Sequence, residues 1–484
     1  MSILIVVDNP KDWHLHIAGV EVVSARNYLT EPRFTEIKNA KIFNLCKSYS
    51  YQSLGYYVSL LAAARGHKPL PAIATIQDLK ISSMLRIASH ELEDTITHAL
   101  GTLRSNKFVL SIYFGKNMAV RYERLALALF NQFPAPLLRA EFRRDEDGWD
   151  LKSLRPIEAD EIPADHVQFV VKAATQYFTK PARRSRKVET RYDLAILRSE
   201  DEKHPPSDEK AIRKFEKAAE SMGFSVEEIT SDDYGRIGEF DALFIRDTTA
   251  VNHHTFRFSR RAQAEGLVVI DDAESILKCA NKVYLAELLR HNRIPSPETI
   301  IIHRGNWERV PAALGLPFIL KQPDSSFSLG VEKVSTVAEY EQQLEKLFPI
   351  SDLLIAQEYV PTAFDWRIGT IERQPLYACR YFMADNHWQI YDHKKTGDDA
   401  LGNFDTWPVD AVPPEVLRAA IKTANLIGDG LYGVDIKEVN GKPLVVEIND
   451  NPSIDSGVED QVLGDEMYLR IMRSFLRRLE SRGR

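Results

Sequence analysis

Short apolar runs broken by polar or glycine positions set the rhythm of the first 181 residues. Runs at 3–7 and 41–46 predict strands. Residues 51–65 predict a helix that stops at Gly66, and 81–103 a longer helix with less regular apolar spacing. A strand is expected at 108–114, a helix at 120–133 stopped by Pro134, and a hairpin over 138–151 turning at Asp147 and Gly148. The alternation is that of an α/β domain. Tyr49, Tyr51, Tyr56 and Tyr57 gather around one helix start, where aromatics either stack on a ligand or, as is far commoner, join the core. No catalytic constellation stands out here.

A second alternation begins after the basic run 181–187, which reads as a solvated linker. Strands are expected at 192–198, 224–229, 240–245 and 267–270. Between them lie a helix over 207–222, with Ser207 as its cap, and another over 255–264 ended by Gly266. Strict alternation predicts a small doubly wound parallel sheet. Such sheets bind ligands beyond the C-terminal strand ends, where Arg246 and Asp247 lie. Arg246 either holds an anionic substrate or pairs with Asp247.

Further on, Val283, Leu285, Leu288 and Leu289 mark an amphipathic helix with Lys282 in its first turn. A cation there opposes the helix dipole, so a bound phosphate would explain it better than solvation does. The strand 316–321 delivers Lys321 to a small polar loop at 324–330, whose backbone N–H groups and hydroxyls can cradle phosphates. No Gly-x-x-x-x-Gly-Lys-Ser/Thr phosphate loop occurs anywhere in the chain. Residues 353–361 read as a strand ending in a Pro-terminated linker, and 364–370 places Asp365 and Arg367 on one face of the next strand. The C-terminal helix 467–479 carries an apolar stripe and is expected to pack on the rest of the fold.

Residues 433–439 and 444–448 read as two strands joined at Asn440-Gly441. Glu447 and Asn449 share a face, but a plain two-residue turn would put Asp435 on the other one. An odd turn or a bulge would gather Asp435, Glu447 and Asn449 on one face. Two carboxylates and an amide oxygen without His or Cys suit Mg²⁺ or Mn²⁺. The alternative is an ordinary hairpin whose polar residues face water.

Composition adds exclusions. Of 484 residues, 44% are hydrophobic and 27% charged, as in a soluble globular protein of about three domains. The net charge of −7 gives no reason to expect nucleic acid as a partner. Cys46, Cys279 and Cys379 are too scattered for a disulfide framework or a metal motif. The first residues lack a basic leader and no apolar run would span a bilayer, so no membrane role is expected and the location is expected to be cytoplasmic.

In order, these motifs resemble those of ATP-grasp carboxylate–amine ligases, closest to the RimK-like branch. The resemblance runs from about residue 192 to the C-terminus. It rests on Asn281-Lys282 with Ile294-Pro-Ser-Pro297, on Lys321 with its small-residue loop, on Gln357-Glu-Tyr-Val360, on Asp365-x-Arg367, and on Asp435 with Glu447-x-Asn449-x-x-Pro452. The fold it implies is an ATP-grasp of two α+β subdomains, about 298–360 and 361–484 within 276–484. A small doubly wound parallel-sheet domain at 190–275 and an extra N-terminal α/β domain at 1–181, like that preceding some RimK-like grasps, would come before it.

The resemblance also implies roles. Lys282 and Lys321 would contact ATP phosphates, with Ser325, Ser326 and Ser328 in the loop, where Gly330 is the only glycine. Gln357, Glu358, Tyr359 and Val360 would flank adenine and Asp365 the ribose. Asp435, Glu447 and Asn449 would hold two Mg²⁺ ions. Arg367 and Arg380 would face the transferring phosphoryl group. The region 388–403 departs from the family pattern, and His393, Lys394, Lys395 and Asn403 are its candidates for a further substrate-side contact, Lys394 foremost. A carboxylate would be activated as an acyl phosphate and captured by an amine. The carboxylate would sit on a small molecule, a peptide or a protein tail, and the amine on glutamate or another amino acid. A phosphotransferase, or a non-catalytic nucleotide-binding scaffold, would share many of these motifs. Oligomerisation stays open.

Overall fold

The computed structural model describes residues 2–13, 17, 19–37, 40–146, 148–178, 190–199, 201–324, 330–384 and 402–482. The chain divides into two compact units: Met1–Asp193 with Asp232–Phe240, and Leu194–Ser231 with Asp241–Arg484. The expected segments 190–275 and 276–484 both fall in the second unit, apart from a few residues after 190 and the stretch 232–240. The basic run 181–187 lies outside the described residues.

In the first unit, strands β1 (Ile3–Val7), β2 (Glu21–Ser24), β3 (Lys41–Asn44) and β4 (Lys68–Leu70) form a parallel sheet in the order β2-β1-β3-β4. Alternate residues of β1 serve two cores. Leu4 and Val6 pack with Tyr28, Phe34 and Val58, while Ile5 and Val7 join Leu110, Ile112, Phe142 and Leu154. The latter belong to an antiparallel sheet of β5 (Lys107–Tyr113), β6 (Leu137–Arg144) and β7 (Trp149–Pro156). The expected helix over 81–103 is two helices, Ser82–Glu91 and Glu93–Leu100, because Leu92 leaves helical geometry with φ −101° and ψ 9°. The helix Leu54–Ala64 is capped by Ser53, so Tyr51 precedes it and is 70% exposed; Tyr57 is also exposed, and these two rings are not core. Asp147, half of the expected hairpin turn, lies outside the described residues.

In the second unit β8 (Tyr192–Leu197), β9 (Phe224–Ile229), β10 (Ala242–Ile245) and β11 (Val268–Ile270) form the expected parallel sheet, ordered β11-β10-β8-β9. The helix after β8 is Glu209–Ser221 and its cap is Asp208, whose side chain accepts from Ala211 N at 2.8 Å. Ser207 is not the cap; its hydroxyl donates to Ile454 O instead.

Two antiparallel sheets follow. One is β12 (Thr299–Ile302), β13 (Phe318–Lys321), β14 (Val331–Val334) and β15 (Leu354–Glu358), ordered β12-β15-β13-β14. The other is β16 (Phe364–Ile371), β17 (Gln374–Phe382), β18 (Phe404–Trp407), β19 (Leu431–Val439) and β20 (Lys442–Asn449), ordered β18-β17-β16-β19-β20. Each has one apolar face in a hydrophobic core. Phe318, Leu320, Leu354 and Ala356 pack with Tyr340, Leu344 and Leu347 of the helix Val337–Leu347. Trp366, Ile368, Val434, Ile436 and Ile448 pack with Val416, Ala420 and Ala424 of the helix Pro414–Ile427. Period-2 alternation therefore leaves Lys321 and Gln357 on the second face of one sheet, and Asp365, Arg367 and Asp435 on that of the other. Among the described residues no helix is long and apolar enough to cross a membrane.

Candidate active site

The hairpin β19–β20 turns on two residues. Val439 pairs with Lys442, and Asn440 and Gly441 take φ of 52° and 75°, the left-handed pair that a tight hairpin needs. That turn alone would put Asp435 on the wrong face. The register then shifts: Ile436 pairs with Val445 but Asp435 with Glu447, so Val446 is an extra residue on β20. The bulge restores the parity, and Asp435 and Glu447 come opposite each other with Asn449 on the same face. Beyond β20 the chain folds tightly over β19, because a Cβ on Gly433 would meet Pro452 Cβ at 2.7 Å.

These polar faces line a cavity of about 360 Å³ within the second unit. Arg367 grips Asp435 with two bonds, Nε to Oδ1 at 2.7 Å and Nη2 to Oδ2 at 2.8 Å. Asn449 Nδ2 donates to Asp435 Oδ2 at 3.2 Å. Lys282 Nζ stands 3.1 Å from Glu447 Oε1, so that carboxylate offsets the unfavourable place of the lysine in the first helical turn. Asn281 caps this helix and also donates to Asp324 at 2.8 Å, tying the helix start to the loop after β13. Lys321 Nζ donates to Gln357 Oε1 at 2.7 Å, and Gln357 Nε2 to Thr299 Oγ1 at 3.0 Å.

Charge is crowded here. Burial, with Lys282 and Lys437 adding to it, pulls Lys321 down from 10.5 to about 8, against the Glu447 carboxylate. Burial would raise Glu447, but Lys282, Lys321 and Arg367 hold it below the ordinary carboxylate range. Burial pushes Asp435 upward and Arg367 opposes it; a guanidinium keeps its proton, so the pair stays ionised.

Of the residues expected at this site, Lys282, Lys321, Gln357, Glu358, Tyr359, Val360, Asp365, Arg367, Asp435, Glu447 and Asn449 line the one cavity. Arg380 does not join them. It sits directly opposite Trp366, on the apolar face of the sheet, paired with Asp405 and stacked 4.3 Å from the Trp407 ring. Ser325, Ser326, Ser328, His393, Lys394 and Lys395 lie outside the described residues. Asn403 contributes its backbone carbonyl to Phe382 N at 2.8 Å. Arg246 is not among the residues that line the cavity, and it does not pair with Asp247. Fully buried, it donates to Asn451 Oδ1, Ser207 Oγ, Pro206 O and Pro452 O, and braces two loops; Asp247 bonds His254 and Ser199.

Lys437 was not expected. It donates to Asp365 Oδ1 at 2.7 Å and Thr362 Oγ1 at 2.9 Å, and lies two residues from Asp435 on the same strand face. That spacing alone could have found it.

Among the described residues no group of three or more His, Cys, Asp or Glu gathers as a metal cage. Two carboxylates and an amide nonetheless fit Mg²⁺ or Mn²⁺, hard cations that bind through few protein oxygens and fill the remaining positions with water and phosphate.

A family model, the RimK-like ATP-grasp N-terminal domain, matches residues 25–173, inside the first unit. Curated relatives match as well. A probable alpha-L-glutamate ligase of Syntrophotalea carbinolica is 22% identical over 224 residues, 46% of this chain and 71% of its own length. One from Pseudomonas paraeruginosa is 24% identical over 226 residues, with the same coverage. The ribosomal protein bS6–L-glutamate ligase of Shigella boydii is 23% identical over 228 residues, 46% of this chain and 73% of its own length. A RimK-like ATP-grasp N-terminal domain is thus matched within the first unit, and the glutamate ligases named above are similar to this chain over nearly half its length.

Proposed function

We propose that the protein is an ATP-dependent ligase that joins the amine of an amino acid to a carboxylate through an acyl phosphate. The observation that carries this reading is the convergence of Lys282, Lys321, Lys437 and Arg367 with Asp435, Glu447 and Asn449 on one cavity. Such a cavity suits a polyphosphate and its cation better than it suits any covalent nucleophile.

In this reading Lys282 and Lys321 bind the phosphates, and Gln357 to Val360 flank the adenine. Asp365, held by Thr362 and Lys437, sits at the ribose. Asp435, Glu447 and Asn449 hold Mg²⁺, two ions in full occupancy, which when bound neutralises charge on the phosphate oxygens. A carboxylate oxygen attacks the γ-phosphorus, the bond to the bridging oxygen breaks, and ADP leaves. An uncharged amine then attacks the acyl carbon, the C–O bond to phosphate breaks, and the amine proton passes to solvent. Arg367 places positive charge beside the group in transit, and the rest is positioning. The relatives named above make L-glutamate the first amine to test.

The test is incubation with ATP, Mg²⁺ and pooled amino acids and dipeptides, following phosphate release and product mass. Release that needs both a carboxylate and an amine, with a product lighter than their sum by one water, is expected. A phosphorylated product formed without amine would instead identify a kinase. Glu447→Gln is expected to lower turnover about 100-fold or more with the unfolding midpoint kept. Near wild-type ADP formation by this variant at saturating Mg²⁺ would refute the metal site.

A further inference from the structure

We infer that Asp450, backed by Asp271, is an ammonium-binding subsite in the cavity wall that takes the charged amine end of the second substrate. This deepens the ligase reading and rests on it. Asp450 lines the cavity beside Thr249 and Asn451, yet is only 4% exposed, and its Oδ2 has no hydrogen-bond partner. Behind it Asp271 is 2% exposed, with neither carboxylate oxygen partnered. The two carboxylates are near enough to repel each other.

Thr249 bonds the Asp450 side chain, but no neighbour reaches its Oδ2 or either carboxylate oxygen of Asp271. The Arg246 guanidinium is the cation that acts on Asp271, but its hydrogen bonds go to Pro206, Ser207, Asn451 and Pro452. Asp272, next in the chain, accepts from Ser275 N and Oγ and caps its helix. Burial and the nearby Asp450 push Asp271 well above the ordinary carboxylate range, so this pair keeps a proton until a cation takes its place.

The fold does not require that charge. In the first unit the corresponding position is Pro71. Ser59 Oγ donates to Pro71 O at 2.7 Å, just as Ser259 Oγ donates to Asp271 O at 2.8 Å. The sheet, the helix and the anchoring hydroxyl all form with a residue that has no carboxylate. Asp271 is therefore best explained by what it faces.

The occupant should be a monovalent cation rich in N–H donors. An ammonium supplies three. A divalent metal would fill its remaining positions with water, which these carboxylates, 4% and 2% exposed, give little room for. The polarity of the cavity agrees, since Lys282 and Lys321 serve the phosphates while Asp450 offers the opposite charge to an amine. The reacting acyl phosphate and its nucleophile would thus be held by opposite charges, and the bound ammonium gives one proton to solvent before the freed amine attacks.

The experiment uses the full-length protein with ATP, Mg²⁺ and the dipeptide pool as carboxylate source. Glycine and L-glutamate are the ammonium-bearing probes, and hydroxylamine, uncharged near neutral pH, captures the acyl phosphate as a hydroxamate. Asp450→Asn should lower the ratio of amide to hydroxamate about tenfold or more, through a raised KM for the amino acid. Asp271→Asn should lower it too, while melting no lower than the wild type because it removes a buried carboxyl that has no hydrogen-bond partner. An unchanged ratio in both variants overturns the proposal, and so does Asp271→Asn that melts lower with its ratio intact. Thermal protection by Mg²⁺ without nucleotide, lost in Asp271→Asn, would assign the pair to a metal and also overturn it. A wild-type protein that yields neither amide nor hydroxamate would refute the ligase reading itself.

Discussion

The parallel sheets of the two units are built alike. Both have the order second-first-third-fourth, and the third strand pairs in matching register: Phe43 with Ile5 and Leu70, Phe244 with Ile196 and Ile270. Ser59, Ala62, Ala64 and Gly66 recur as Ser259, Ala262, Ala264 and Gly266. His67 N bonds Ala62 O as Leu267 N bonds Ala262 O, each at 2.8 Å. The copies part company at the C-terminal ends of the strands. Leu45 N bonds Val6 O in the first unit, and Arg246 N bonds Leu197 O in the second. An apolar Leu45 thus stands where Arg246 braces the loops beside the cavity, and Pro71 stands where Asp271 is buried. What the sheets share makes the scaffold, and where they differ is where one of them meets the cavity.

The largest test of this comparison is Arg246→Met set against Leu45→Met. Removing the guanidinium strands Ser207, Asn451 and the carbonyls of Pro206 and Pro452, and should cost about 3–5 kcal/mol. Leu45→Met should cost under about 1.5 kcal/mol. Urea unfolding of both variants would read the contrast, and equal costs would break it.

Next comes pH. Lys321 falls from 10.5 to about 8, so below pH 8 the folded state carries a penalty of roughly 3 kcal/mol. The unfolded chain binds more protons between pH 8 and 10.5, so this contribution to stability should rise with pH there. ATP-dependent turnover should fall over the same range as Lys321 loses its charge. Urea midpoints and rates at pH 7 and 9.5 would show the opposed trends, and Lys321→Met should abolish the rise in stability. A rise that persists in Lys321→Met would locate its cause elsewhere.

The smallest effect is the most even. Ser59→Ala and Ser259→Ala each leave a buried carbonyl without its donor and should cost about 1–3 kcal/mol apiece. Paired melting curves that differ widely would show the two sheets to be less equivalent than their register implies.

Much of the site could be read from the sequence because strand parity is a local rule. It placed Asp365 with Arg367, and Glu447 with Asn449. It also showed that Asp435 could join them only through an odd turn or a bulge, and the bulge at Val446 supplies that. The same rule could have found Lys437. It could not place Arg380, whose face depends on its pairing with β16 across a register shift at Gly369 and Thr370. Nor could it assign Arg246, because its partners at 206–207 and 451–452 are remote in sequence. The likeness of the two sheets is not legible in the sequence for a related reason: register and hydrogen bonds carry it, and few side chains do.

The stretch Asp232–Phe240 has a practical consequence for dissecting the protein. It lies far along the chain, yet it belongs to the first unit, where Lys41 and Tyr177 both bond Glu239 and the Arg236 guanidinium stacks 5.7 Å from the Tyr177 ring. A truncation that begins near residue 190 would strip this stretch of its partners and expose Ile237 and Phe240, which are buried in the intact chain. The N-terminal unit therefore cannot be deleted as a detachable accessory. A stable catalytic half would need residues 232–240 excised and bridged as well.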